Sequence, residues 1–315
     1  ALATGNTVVL KPAESTSLTA LKLAEIIQEA DLPPGVVNII TGPGSTGNLI
    51  VNHPGIDKIA FTGSTAVGKS IMKCIAGSNK KSTMELGGKS PNIVFADCNL
   101  TEQISYSVRE CMSNTGQSCD APTRLLVEAS CYSASLAIAK DVAESLRVGD
   151  PKDEKTEVGP LFDKIQFDRV QSMIEAGMNE GCKLLTGGIG KPDGLDVGWF
   201  VKPTIFVDVS NDMLIAREEI FGPVLVIIPF ETEEEAIEIA NDTPYGLLNF
   251  IQTQDQEKAN RVARKLRSGM VDINGAGLAP DAPFGGYKHS GIGREAGKLG
   301  LEEFLEVKAV SGWNN

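Results

Sequence analysis

Three times within the first 76 residues, a short apolar run is followed by a turn and then by an amphipathic run. Residues 6–10 read as a strand ending at Lys11-Pro12. Ser15, Thr16 or Ser17 can cap a helix whose apolar face is Ala20, Leu23, Ala24, Ile27 and Ala30, and Pro33-Pro34-Gly35 stops it. Residues 36–40 form a second strand, followed by a Gly-rich turn and a short helix to about Val51. Residues 58–62 form a third, followed by Gly63-Ser64-Thr65 and a helix to about Ala76. Strand and helix alternating at this spacing predict an α/β fold with a doubly wound parallel sheet. Ligands of such sheets bind at the carboxyl ends of the strands.

A chain of 315 residues is long enough for two domains. From Gly88 onward a second α/β unit reads out. Its strands are expected at 92–95, 124–127, 205–207, 224–228 and 270–273, and its helices at 100–112, 132–146, 164–177, 233–240 and 256–265. Residues 193–198 form a loop, and residues 280–293 a Pro/Gly-rich one. The net charge of −12 argues against nucleic acid or an anionic membrane surface as the main partner. No apolar run approaches the length of a membrane span. Six cysteines without a Cys-x-x-Cys pair fit neither a disulfide framework nor a zinc site, so no metal is expected and a reducing, cytoplasmic setting is. Two histidines leave little for a Ser-His-Asp or His-metal mechanism. The chain starts at Ala1, directly before an apolar strand, and reads as a fragment whose N-terminal targeting signal is not open to judgement.

Two phosphate-loop patterns occur. Gly42-Pro43-Gly44-Ser45-Thr46-Gly47 fits the dinucleotide fingerprint, but residues 61–69 hold no acid for the ribose. Residues 63–70, Gly-Ser-Thr-Ala-Val-Gly-Lys-Ser, fit a P-loop with Lys69 on the phosphates, and Asp97 after an apolar run could hold magnesium. A P-loop nucleotide hydrolase is therefore the rival reading. Two strands already precede this loop, however, and the rival leaves Glu85, Cys119 and Glu219 without a role.

Cys119 lies in the polar segment Asn114-Thr115-Gly116-Gln117-Ser118-Cys119, between an amphipathic run and a strand-like one. A thiol with a pKa of about 8.5 is only a few per cent ionised at neutral pH, yet it is the best ordinary nucleophile. A cysteine alone is most often a small buried hydrophobe. Thirty-four residues upstream of it, Glu85 stands in Met84-Glu85-Leu86-Gly87-Gly88-Lys89-Ser90-Pro91-Asn92.

In order and spacing the two stretches resemble the active-site segments of the NAD(P)-dependent aldehyde dehydrogenase superfamily, and the resemblance runs over essentially the whole chain. It implies an aldehyde dehydrogenase fold. Residues 1–87 would be the C-terminal part of a Rossmann-like NAD-binding domain, 88–289 the catalytic domain, and 290–315 a closing helix and the start of an oligomerisation strand, with a strand at 306–308. Lys11 and Glu14 would hold the adenosine ribose, and Glu14 would repel a 2′-phosphate, favouring NAD over NADP. Gly63 and Ser64 resemble the pyrophosphate turn, with Gly44 in a second, shorter turn. Glu219 and Phe221 would meet the nicotinamide ribose and ring, and Phe284 would wall the substrate pocket.

The implied reaction is oxidation of a small-molecule aldehyde to a carboxylic acid. Cys119 would add to the carbonyl, a thioester would follow, and Glu85 would activate the hydrolysing water, which disfavours release to CoA. The other five cysteines would be structural. The family further implies a homo-oligomer in the full-length parent.

Full-length members carry a longer N-terminal portion that supplies an oxyanion-binding asparagine. Loss of one such donor costs about 10²–10³ in rate. A non-catalytic remnant that binds dinucleotide is accordingly a further reading, and these 315 residues alone are expected to be weakly active or inactive. Normal NADH production by them in isolation would overturn that expectation.

Overall fold

The computed structural model describes residues 1–312. They form two compact units: Ala1–Glu85 with Ala279–Phe284 and the chain from Ile292 onward, and Leu86–Leu278 with Gly285–Gly291.

In the first unit β1 (Val8–Leu10), α1 (Ser17–Glu29), β2 (Val37–Ile39), α2 (Gly44–Asn52), β3 (Lys58–Thr62), α3 (Thr65–Ile75) and β4 (Lys81–Glu85) follow in order. β1 pairs parallel with β2, and β3 parallel with β4, from Lys58↔Lys81 to Thr62↔Glu85. The expected single ladder through the first three strands is not formed among the described residues: β2 and β3 lie in different sheets. The short strand Gly291–Ile292 flanks β4 instead. β4 was not anticipated because it opens on Lys81-Ser82-Thr83, although its last three residues are buried. On α1 the half-buried face is Ser17, Ala20, Ala24 and Ile27, while Leu23 and Ala30 are exposed. Near the C-terminus the closing helix is short, at Gly297–Glu302. Residues 306–308 form no strand; Glu306 instead meets Lys81 through its side chain at 2.8 Å.

The second unit is a seven-stranded sheet with helices on both faces. Its elements are β5 (Pro91–Val94), α4 (Leu100–Met112), β6 (Arg124–Glu128), α5 (Tyr132–Ser145), α6 (Lys164–Asn179), β7 (Lys183–Thr186), β8 (Thr204–Val207), α7 (Leu214–Arg217), β9 (Val224–Phe230), α8 (Glu233–Asn241), β10 (Leu248–Gln252), α9 (Gln256–Lys265) and β11 (Met270–Ile273). The strand order is β11-β10-β5-β6-β9-β8-β7, parallel throughout except for β7 against β8. Side chains alternate across it. Ile93, Leu126, Val226 and Ile251 pack with Val170, Ile174, Ala236 and Val262 on one face. Val94, Leu125, Val127 and Ile227 pack with Ile104, Val108 and Ala139 on the other. Side-chain caps start the helices: Asn99 accepts from the Glu102 N–H, Asp163 from that of Gln166, and Thr232 from that of Glu235.

Arg124 is fully buried in β6. Its Nε donates to Lys89 O, Nη1 to Asn211 Oδ1 and Ile239 O, and Nη2 to Ala240 O, at 2.7–3.0 Å. It therefore ties the entry of β5 to the end of α8. Arg124→Leu leaves three carbonyls buried without donors, and should lower unfolding free energy by about 3–5 kcal/mol. A urea titration of the second unit reads this as a lower midpoint with an unchanged slope.

Candidate active site

β5, β6 and β9 are adjacent parallel strands in register, Pro91↔Arg124 and Arg124↔Val226. The segments that enter them are distant in sequence, and the ladder begins to join them before the strands do: Arg124 N donates to Ser90 O, and Val226 N to Thr123 O. Two glycines then permit closest approach. A Cβ on Gly88 would lie 2.1 Å from the Cys119 carbonyl oxygen, and one on Gly87 would lie 2.2 Å from Glu219 Oε2. The Gly88 N–H donates to Glu219 Oε1 at 3.1 Å. Gly116, at φ +68°, packs where a Cβ would meet the Gly222 carbonyl oxygen at 2.1 Å. The second unit thus gathers the Cys119, Gly87-Gly88 and Glu219–Gly222 segments at the amino ends of three strands.

The turn before Cys119 is unusual. Asn114, Thr115 and Gly116 are all left-handed, at φ 49°, 60° and 68°. Side chains hold this costly conformation. Asn114 Nδ2 donates to Gln117 O, Gln117 Nε2 to Asn114 O, Thr115 Oγ1 to Gly159 O, and the Phe162 N–H to Gln117 Oε1. Cys119 is half-buried. Burial pushes the second unit's other thiols up, Cys98 to about 11 and Cys111 to about 12, with Cys131 and Cys182 raised as well. They are correspondingly poor nucleophiles.

Glu219 is half-buried, and desolvation holds its carboxyl above the usual range against the pull of the Gly88 N–H, Arg169 and Lys89. Two α6 side chains fix its turn: Arg169 Nη2 donates to Glu219 O, and Gln166 Nε2 to Ile220 O and Phe221 O. Phe221 is itself left-handed, at φ 58°. Lys89 is 1% exposed and its Nζ has no hydrogen-bond partner. Burial, then the charge of Arg124, brings it down to about 7. Gln166, Arg169 and Lys89 were not singled out from sequence. Lys89 alone had a local signal, a cation inside the Gly-Gly stretch.

In the first unit Glu85 ends β4, and its carbonyl accepts from the Gly63 N–H at 3.0 Å, so Gly63 and Ser64 stand beside it. Both Glu85 carboxyl oxygens are buried without a hydrogen-bond partner. Burial, then the negative charge of Glu295, raises the carboxyl to about 8, opposed by Arg294. Phe284 and Glu295 exchange two backbone hydrogen bonds of 2.7 Å, which seats Glu295. Sequence reading passed over Glu295 and Arg294.

Lys11 and Glu14 also come together, beside the turn that holds Gly44. Lys11 Nζ donates to Pro12 O and Gly42 O and lies 3.8 Å from Glu14, and Gly44 opens α2. Ser64 Oγ caps α3 by accepting from the Val67 N–H. Because α3 begins at Thr65, Lys69 stands within the helix and Gly68 N already bonds Ser64 O. Residues 63–70 are therefore not an open phosphate-cradling loop, which removes the nucleotide-hydrolase reading. Among the described residues no acidic or Cys/His group is arranged to hold a metal, and no helix is long and apolar enough to cross a membrane.

Comparison with known proteins matches residues 1–310 to the aldehyde dehydrogenase family. A Staphylococcus epidermidis relative is 48% identical over 314 residues, 99% of this chain and 66% of that protein, so the chain spans about two thirds of its relative. The crystal structure of an aldehyde dehydrogenase from Bartonella henselae superposes with a TM-score of 0.95 at 48% identity, over 98% of this chain and 64% of that one. The NAD+ complex of an aldehyde dehydrogenase from Bacillus cereus gives 0.95 at 47%, over 98% and 63%. Aldehyde dehydrogenase C from Pseudomonas syringae, a cysteine-to-alanine mutant complexed with NAD+ and octanal, gives 0.95 at 45%, over 98% and 64%.

The raised Glu85 carboxyl has a consequence for stability. The fold favours the protonated acid, so its contribution is complete below the ordinary value of 4.5 and is lost as pH rises through about 8. Glu85→Gln is neutral at every pH and should flatten the loss of stability between about pH 5 and 9, read as urea midpoint against pH.

Proposed function

The chain belongs to the aldehyde dehydrogenase family, and from that premise we propose that it oxidises an aldehyde to a carboxylic acid with NAD through a thioester on Cys119. The observation that carries this reading is the contact of Gly88 with the Cys119 carbonyl, which seats a half-buried thiol beside the Glu219 segment. In the proposed sequence the Cys119 thiolate adds to the carbonyl carbon and an oxyanion forms. Collapse of that adduct with loss of hydride leaves the thioester. Glu85, as carboxylate, takes a proton from water, the water attacks the thioester carbon, and the acid leaves as Cys119 regains its proton. A carboxyl raised to about 8 is matched to taking a proton near neutrality.

NAD, when bound, supplies the hydride acceptor. The residues fit a dinucleotide: Lys11 and the exposed Glu14 form a cation–carboxylate pair next to the Gly42–Gly47 turn, and the N-terminus of the eleven-residue α3 follows Gly63-Ser64. Glu14 would take ribose hydroxyls and disfavour a 2′-phosphate, so NAD is preferred to NADP. Glu219 and Phe221 would serve the nicotinamide end, and Phe284 the substrate pocket. The octanal complex of the Pseudomonas syringae relative supports an aldehyde as the substrate class. Family resemblance supports a homo-oligomer, and the cysteine pattern a cytoplasmic location.

In the whole protein, Cys119→Ala should abolish NADH formation. Glu85→Gln should give one burst, no larger than one NADH per Cys119, with the acyl group retained and visible by mass spectrometry. Multiple turnovers by Cys119→Ala would remove the proposal. Where hydrolysis limits the rate, kcat should climb about tenfold per pH unit up to the Glu85 value of about 8, then level off.

A further inference from the structure

The second unit carries a group of side chains next to Cys119 that the proposed reaction does not use. Asp120 follows Cys119 directly, and its Oδ1 accepts from Ser118 Oγ at 2.6 Å. Glu110 lies in the last turn of α4, its carboxyl held above the usual range by partial desolvation and then by Asp120 and Asp272. Tyr106 stands one turn earlier. Its phenol is pushed up to about 12 by burial and then by Glu110, Asp272 and Asp120, and its ring faces Gly275, where a Cβ would lie 3.3 Å from Cζ. Asp272 on β11 is 6% exposed. Its Oδ2 accepts from the Gly277 N–H at 2.8 Å, but its Oδ1 is buried without a partner.

The charges acting on Glu110 and Tyr106 are all acidic. A buried carboxylate oxygen without a donor is costly unless a ligand supplies one. Carboxylates beside an oxyanion also oppose its charge, and a cation on the substrate would offset them. An aromatic ring flanked by carboxylates is the chemistry that recognises an organic cation.

We propose that Tyr106, Glu110, Asp120 and Asp272 form a cation-recognising group beside Cys119, and that the aldehyde taken there carries a protonated or quaternary amine. The word aldehyde rests on the dehydrogenase reading; the cation site does not.

The test uses two methanethiosulfonates of similar size, one trimethylammonium and one neutral. Each rate of Cys119 labelling, followed by mass spectrometry of its peptide, is divided by the rate with free cysteine. The cationic reagent should be favoured about tenfold at low salt, and less at high salt. Asp120→Asn and Glu110→Gln should each reduce the preference. Asp120 is half-exposed and Glu110 exposed, so both variants should fold even if Asp272→Asn does not. A ratio near one in the parent protein, or one unmoved by both variants and by salt, overturns the proposal.

A parallel arm in the whole protein compares kcat/KM for a trimethylammonio aldehyde and its tert-butyl isostere. Equal values overturn the cation preference and leave the dehydrogenase standing. NADH from neither substrate, with the labelling preference intact, sinks the dehydrogenase and keeps the cation site.

Discussion

The approach of the Gly87-Gly88 backbone to the Cys119 carbonyl and the Glu219 carboxylate is the constraint on which the second unit's proposed chemistry depends. Side chains at either position would separate segments that three parallel strands have brought together. The order β5-β6-β9 makes this possible, because neighbouring parallel strands place their entries side by side however far apart those entries lie in the chain. Arg124 anchors the arrangement from below, donating to the carbonyl of Lys89 at the mouth of β5. Positioning here is done by backbone and by glycine, and reactive side chains are added to a frame that already exists.

Charge is distributed with equal economy. Buried Lys89 faces Glu218 and Glu219 on one hand and the fully buried Arg124 on the other, and desolvation leaves it only weakly basic. Glu219 is pulled between burial and three positive or hydrogen-bonding partners. In the other unit Glu85 is stripped of hydrogen-bond partners and pressed by Glu295. A carboxyl prepared this way gains basicity by being denied solvation, and that denial costs stability.

Much of this is legible in the sequence. The amphipathic periods at 100–112 and 256–265 mark α4 and α9 without error, and the apolar runs at 124–127 and 224–228 locate β6 and β9. β10 escaped because Asn249 and Gln252 interrupt its pattern; both are buried, and Gln252 Nε2 donates to Asn92 Oδ1, while Asn92 Nδ2 donates to Ser107 Oγ. β4 escaped for its polar opening, although Glu85 at its end was found by motif. The charges that set Glu85, from Glu295 and Arg294, come from the far end of the chain, and no local pattern reports such a pairing. The three left-handed residues before Cys119 were equally silent, since Asn and Thr name no backbone conformation by themselves.

Because the segments around Cys119 enter their strands rather than leave them, the turns at the opposite ends have no part in the proposed chemistry. Those after β5, β6 and β9, around Cys98, Ser130 and Glu231, lead into α4, α5 and α8. Lineages could lengthen, trim or decorate them, or recruit them as docking points, while the thiol's surroundings stayed as they were. The strand entries are fixed by close backbone contact, and the strand exits are free of that constraint.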